Sequence, residues 1–449
     1  MRYTSSMKTH LSSMIFVALL LLTACNQPTV TPPSSATPVP IPTSSPTRPA
    51  TAVPVPTVTN SPTRPATAVP VPTATTNPTS SPAPTVPTAT PGVPTADSRL
   101  PAPLYLLQAG QIARIERDTT TRKVLTAEHV ANSMSGVDPI AEFAVSPSGG
   151  LAYIVGDRDQ DRLVLTDAQG QGARTIYAQQ GHELSDLVFT PDGQALMLHL
   201  LDNRQPPDLP SGLYRLPVAG GTPMLVHADD PLDDPVNPSR AVSGYRPVAF
   251  SPDGTRLLLQ IYALAYGEIC GVGVIAATGG DVTRVSLPAD LAGYCGEETW
   301  TADGTAVLLL GGKATGDDAG PRLWRAELAT GTVVPFVAEG TFARQPHGVA
   351  GGATRFFLSR LIRDASGAIT GATFAPVQVD APGTPPVELD TPFDVRLNHA
   401  LWAPNGASVL IDVDSTDGST TLRWLRLGAP SVDLPGAEVA VRQWAWGTP

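Results

Sequence analysis

The stretch VAFSPDGTRLLLQ (248–260) joins two apolar runs through the turn Ser251-Pro252-Asp253-Gly254. Pro presets φ for the first central residue, Asp is tolerated at the next, and Gly supplies the positive φ that closes a hairpin. The same grammar recurs as Ser146-Pro147-Ser148-Gly149, Thr190-Pro191-Asp192-Gly193, Thr301-Ala302-Asp303-Gly304 and Ala403-Pro404-Asn405-Gly406. Self-similarity on this scale marks a repeat architecture.

Each copy reads as strand, turn, strand, loop and two further strand-like runs, which make one blade of a β-propeller. The residue just before the turn is Val145, Phe189, Phe250, Trp300 and Trp402 in successive copies. A degenerate copy, GVAGGATRFFLSR (348–360), places Val349 there, and Gln443-Trp444-Ala445-Trp446 reads as a first strand with nothing after it. The three missing strands lie at the other end of the domain, in LYLLQ (104–108), QIARIER (111–117) and RKVLT (122–126). Pairing the last strand with these closes the ring and removes exposed edges. The expected fold is therefore all-β, a seven-bladed propeller, with six blades as the alternative.

The chain opens with basic Arg2 and Lys8 and the apolar run MIFVALLLL (14–22), of signal-peptide length and too short to span a bilayer as a helix. Leu22-Thr23-Ala24-Cys25 resembles the bacterial lipobox, which makes residues 1–24 a lipoprotein signal peptide and Cys25 the lipid attachment site. An ordinary signal peptide with an accidental cysteine is the other reading. A diacylglycerol supplies the two chains that stable anchoring requires. The expected location is extracytoplasmic, lipid-anchored at the cell membrane. Residues 25–100 are rich in Pro, Thr, Ser, Ala and Val, and SPTRPATAVPVPT occurs identically at 45–57 and 61–73. Such a composition does not bury enough apolar surface to order itself, so a disordered stalk of polyproline character is expected. At ~3.1 Å per residue it could reach on the order of 200 Å. Residues 101–449 remain for the propeller. The formal net charge is −11 and no Lys/Arg cluster stands out, which argues against nucleic acid as a partner. A monomer is expected.

The pattern of an aromatic residue followed by Ser-Pro-Asp-Gly and an apolar strand, as in Phe250 to Leu257, resembles the TolB-like, WD-like propeller repeats. IVGDRDQDRLVL (154–165) resembles their second and third strands. The resemblance spans nearly the whole globular part and implies the fold. It does not imply one activity, because such propellers serve as adaptors, enzyme scaffolds and accessory domains. A stalk is expected where TolB has its α/β domain, and no peptidase domain is expected after the propeller, so the resemblance does not imply TolB itself or a propeller-bearing peptidase.

In a propeller the turns between first and second strands share one face. Loops between second and third strands, and links between blades, share the other. Cys270 starts a third strand and Cys295 sits in the next link, so a disulfide is expected, against two unpaired thiols as the other reading. His182, His347 and His399 occupy similar places just before a first strand and could converge on the central opening, but no short-range ligand motif accompanies them. Asp229, Asp230, Asp233 and Asp234 lie within the longest spacing between copies, where a repeat protein places binding function. Glu183 follows His182, and Glu297 and Glu298 precede Trp300; nothing fixes the carboxylate separation that glycoside chemistry needs. These ten residues form the candidate binding face. No nucleophile elbow, phosphate loop or Cys–His motif stands out, so no catalytic residue, metal ligand set or cofactor is assigned. The expected function is a propeller that binds a protein or glycan on the face opposite the turns; the alternative is a carbohydrate-active lyase or hydrolase working in the central opening.

Overall fold

The turn closes as its residue types require. Thr190 accepts the Ala195 N–H on its hydroxyl at 3.0 Å and donates to the Asp192 carboxylate at 2.6 Å, while Gly193, at φ 65°, bonds back to the Thr190 carbonyl. Ser251 with Asp253, and Thr301 with Asp303, repeat the arrangement. These turns are seen in a computed structural model that describes residues 99–448, apart from 129–138, 157–159, 205–206, 232–241, 264–269, 314–319, 339, 367–368, 394–395, 415–419 and 435–440. Residues 1–98, which include the expected signal peptide, Cys25 and the expected stalk, lie outside the described residues.

All regular elements among the described residues are strands, and they form seven antiparallel sheets. Blades 1 to 6 begin with the strands Ile140–Val145, His182–Phe189, Val242–Phe250, Ala292–Trp300, Phe342–Gly348 and Arg396–Trp402. Blade 7 is the composite: the strand Val441–Trp446 pairs with Leu104–Gln108, which continues into Gln111–Ile115 and Arg122–Val124. The register Leu104↔Trp446, Leu106↔Trp444 and Leu107↔Gln443 is the closure expected from the sequence, and the six-bladed alternative is set aside. Leu100 is fully buried and its N–H reaches the Arg117 carbonyl, so the packed domain has begun by that residue.

First strands contact one another in succession around the ring and therefore line its axis. The core lies between blades: Ile154 and Leu163 of blade 1 pack with Leu198 and Tyr214 of blade 2, and Leu104 and Leu106 of blade 7 pack with Leu410 and Leu422 of blade 6. Strands buried on both faces explain why their apolar runs show little alternation. Blade 3 carries an extra short strand, Asp230–Pro231, on the axis side of its first strand.

Two details depart from the sequence expectation. In blade 5 it is Val349 whose N–H and carbonyl close the turn, as those of Ser251 do in blade 3, so Gly348 takes the place of Phe250. A Cβ on Gly348 would meet the Ala302 nitrogen and the Trp300 oxygen at 2.7 Å, which leaves no room for a side chain. Every first strand also carries a bulge or register irregularity against its neighbour. A bulge frees backbone N–H groups toward the axis.

Candidate functional site

Those freed groups are used to join blades. Glu142, in the first strand of blade 1, accepts the N–H groups of Asp186 and Leu187 at the blade 2 bulge, at 2.7 and 2.6 Å. Glu297 of blade 4 does the same for blade 5, accepting from Gln345 N–H and from Arg344 Nε at 2.6 Å. Gln443 of blade 7 both accepts from and donates to the backbone of Phe143 in blade 1, each at 2.9 Å. Burial, and then the nearby Asp186 charge, push the Glu142 carboxyl up to about 7. Of these clamps the sequence reading singled out only Glu297. A signal was present: Glu142, Glu297 and Gln443 each stand three residues before the last residue of a first strand.

The link face between blades 1 and 2 holds an open cleft of about 920 Å³. Gln160 and Asp161 come from the loop after the second strand of blade 1. Gln179 and Gln180 come from the link, and Asn203 and Arg204 from the corresponding loop of blade 2. Beneath them sits a fixed knot. Tyr177 hydroxyl meets His182 Nδ1 at 2.5 Å, and His182 Nε2 and Arg204 Nη2 converge on Asp202 Oδ2 at 3.3 and 2.6 Å. Asp202 also accepts the backbone N–H groups of Arg204, Asp208 and Leu209, at 2.8 to 3.0 Å, so one carboxylate ties both ends of the loop. Hydrogen bonds from Arg204 hold that carboxyl well below the usual range, despite its burial. Burial lowers the His182 pKa, against the raising effect of the Asp202 carboxylate. With both nitrogens engaged, His182 supports the cleft and offers no lone pair to a metal.

The other candidates divide. Glu183 lies at the cleft rim, 3.3 Å from Asn203 Nδ2. Asp229 turns inward to His199 Nε2 at 3.0 Å, and Asp230 accepts from the Tyr245 hydroxyl and faces Arg284 at 3.4 Å. Asp233 and Asp234 lie outside the described residues. Glu298 is buried, accepts the Gly296 N–H, and is raised by that burial, so Glu297 and Glu298 do not face a common opening as an acid–base pair.

The three histidines do not occupy equivalent places. His182 begins its strand on the link side, His399 is central in its own, and His347 is next to last in Phe342–Gly348, at the turn side. His347 is half-buried, stacks on Trp402 at 6.1 Å and is pushed down to about 4 by desolvation. His399 is two-thirds exposed, 3.9 Å from Asp412. His182, His347 and His399 lie within their first strands rather than before them, seven, one and three residues from the last residue (Phe189, Gly348 and Trp402), a spacing that already separates them. Among the described residues, no group of three His, Cys, Asp or Glu side chains is placed to hold a metal. Cys295 is disulfide-bonded; the side chain of Cys270, its expected partner, lies outside the described residues.

No family model matches the chain, and no curated protein matches it by sequence. Solved structures do. TolB from Acinetobacter baumannii is 17% identical, with 76% of this chain and 79% of that one covered and a TM-score of 0.42. A prolyl endopeptidase is 14% identical over 76% of this chain and 50% of that one, at a TM-score of 0.52. The tricorn protease is 10% identical over 77% of this chain and 34% of that one, at 0.51. The chain has the fold these two proteases share with it. It spans half of the one and about a third of the other, and at such identities the likeness is one of fold alone.

Proposed function

We propose that this chain is an extracytoplasmic lipoprotein, anchored through Cys25, whose propeller is a rigid platform that binds a protein or glycan on its link face. The carrying observation is the open cleft between blades 1 and 2. Its uncommitted side chains are mostly amides, Gln160, Gln179 and Gln180, beside a loop whose Arg204, Asp208 and Leu209 backbone is tied to Asp202. Neutral donors and acceptors on a preorganised surface suit peptide backbone or sugar hydroxyls, and preorganisation lowers the cost of binding. The histidines that a lyase or hydrolase site would need are engaged separately, which favours binding over catalysis.

The test is capture from detergent-solubilised native envelope by the full chain. The comparison is a variant carrying Gln179→Ala, Gln180→Ala and Asn203→Ala, with the stalk alone as control. Loss of specific partners in the variant, at an unchanged unfolding midpoint, supports the reading. Identical capture by both proteins removes the link face from consideration. Cys25→Ala should move the chain from the detergent phase to the aqueous phase in a phase-partition assay, and retention in detergent would exclude the anchor.

A further inference from the structure

Blades 6 and 7 enclose a second pocket, of about 310 Å³, on the turn face. Its buried side is formed by Ala102 and Trp424, and its more exposed side by Arg99, Arg117 and Arg426. Among the described residues that line it none is acidic, although the chain as a whole carries a formal charge of −11.

The described carboxylates nearest Arg117 and Arg426 along the chain are committed elsewhere. Glu116 pairs with Arg114 at 2.7 Å, and Asp118 accepts the Thr120 and Thr121 N–H groups of its own turn at 3.0 and 2.8 Å. Asp433 pairs with Arg423 at 2.6 Å. Arg117 and Arg426 are instead oriented by neutral backbone. Arg117 Nε donates to the Leu100 carbonyl at 2.9 Å, and Arg426 donates through Nε and Nη2 to the Pro430 carbonyl at 3.0 and 2.7 Å. A carbonyl fixes a guanidinium in place without neutralising it, and the fork retains N–H groups for a second acceptor. Arg426 also lies over the Trp424 ring, 5.3 Å from its centroid, so charge and apolar surface adjoin.

We propose that this pocket binds a small organic anion: a carboxylate or phosphate group held by Arg117 and Arg426, on a flat apolar body lying against Trp424 and Pro404. The pocket straddles the seam where the entering chain, through Arg99 and Ala102, meets blade 6 through Pro404 and Arg426. A ligand bound there joins the two sides of the ring closure and raises the unfolding midpoint by mass action. This site is separate from the link-face cleft, and its failure would leave that reading untouched.

The full chain is titrated with benzoate, phenyl phosphate, inorganic phosphate and benzyl alcohol, followed by calorimetry and by the unfolding midpoint. Benzoate or phenyl phosphate should bind and raise the midpoint, and which of them is tighter distinguishes a carboxylate ligand from a phosphate one. Inorganic phosphate, lacking the apolar body, and benzyl alcohol, lacking the charge, should each bind at least about tenfold more weakly. Arg117→Gln and Arg426→Gln should each weaken the tighter anion about tenfold, whereas Arg423→Gln, which removes the same charge outside the pocket, should change it less than about twofold. If Arg117→Gln lowers the unliganded midpoint, Arg426→Gln alone carries the comparison. Absence of binding by both aromatic anions, equal binding of benzyl alcohol, or an equal loss in Arg423→Gln would each overturn the proposal.

Discussion

The indole Nε1 of Trp446 donates to the backbone carbonyl of Trp402 at 2.9 Å, tying the last strand of the chain to the first strand of the preceding blade. Trp402 does the same to Gln345 at 2.9 Å and Trp300 to Ala249 at 3.0 Å, so the aromatic before the turn is an inter-blade fastener. Trp446 is the one that completes the ring, because its strand also pairs with Leu104–Gln108 from the far end of the domain. A chain ending at residue 440 should therefore lose its cooperative unfolding transition or show a far lower midpoint, with exposed strand edges promoting aggregation. Trp446→Phe keeps most of the packing and removes the hydrogen bond, for a cost of ~1–2 kcal/mol. Thermal unfolding of both variants checks this, and a truncated chain that melts with the parent would refute the closure.

The axis clamps carry a pH signature. Glu142 is raised to about 7 by burial, so the folded state holds its proton more tightly than the unfolded chain does. Its contribution is fully present below the unfolded carboxyl pKa and is lost as pH rises toward 7. His347 works in the opposite sense. Depressed to about 4, it is neutral in the folded state where the unfolded chain would be protonated, so its contribution is present above its ordinary pKa and is lost as pH falls toward 4. The two slopes oppose each other between about pH 4.5 and 6.5. His347→Asn should unmask a midpoint that falls with rising pH across that window, and Glu142→Gln one that rises. Glu142→Gln should also be less stable overall, because an amide cannot accept both bulge N–H groups. Parallel profiles for parent and variants would show that neither group governs the dependence.

The disulfide at Cys295 gives a chemical test. With Cys270 as its partner it closes a loop of about 25 residues and stabilises by ~3 kcal/mol. Alkylation without reductant should leave the peptides containing Cys270 and Cys295 unmodified, and reduction should make both reactive and lower the unfolding midpoint. Alkylation of Cys270 before reduction would assign the bond at Cys295 to a different partner.

The turns and the closing strand are legible in the sequence because their chemistry is local. Gly at the closing position, Ser or Thr two residues before an Asp, and an aromatic before them fix a hairpin without reference to anything distant. The site is less legible for the opposite reason. Asp202 is an ordinary loop aspartate until the fold brings Tyr177, His182 and Arg204 around it, and Glu142 reads as a stray charge until the blade 2 bulge presents two N–H groups to it. Hairpin geometry accounts for the repeated Asp and Gly residues of the turn face. Arg117, two residues past the third strand of blade 7, and Arg426, the last residue of the third strand of blade 6, reach the same face with no repeat pattern to mark them.

The degenerate fifth copy supplies the sharpest test of how far the repeat governs the structure. The consensus would place Phe or Trp where Gly348 stands, and restoring it makes the sequence more regular. The structure demands the reverse. The backbone of Trp300, Thr301 and Ala302 passes within 2.9 Å of where a Cβ on Gly348 would sit, and backbone has no rotamer by which to move aside. Gly348→Ala should cost ~1–3 kcal/mol through forced separation of blades 4 and 5, and Gly348→Phe more. Because Glu297 clamps Arg344 and Gln345 in the same pair of first strands, the strain should reach that contact, and amide exchange at Gln345 should quicken along with the fall in midpoint. A Gly348→Phe chain as stable as the parent would mean that blades 4 and 5 pack farther apart than the present geometry allows.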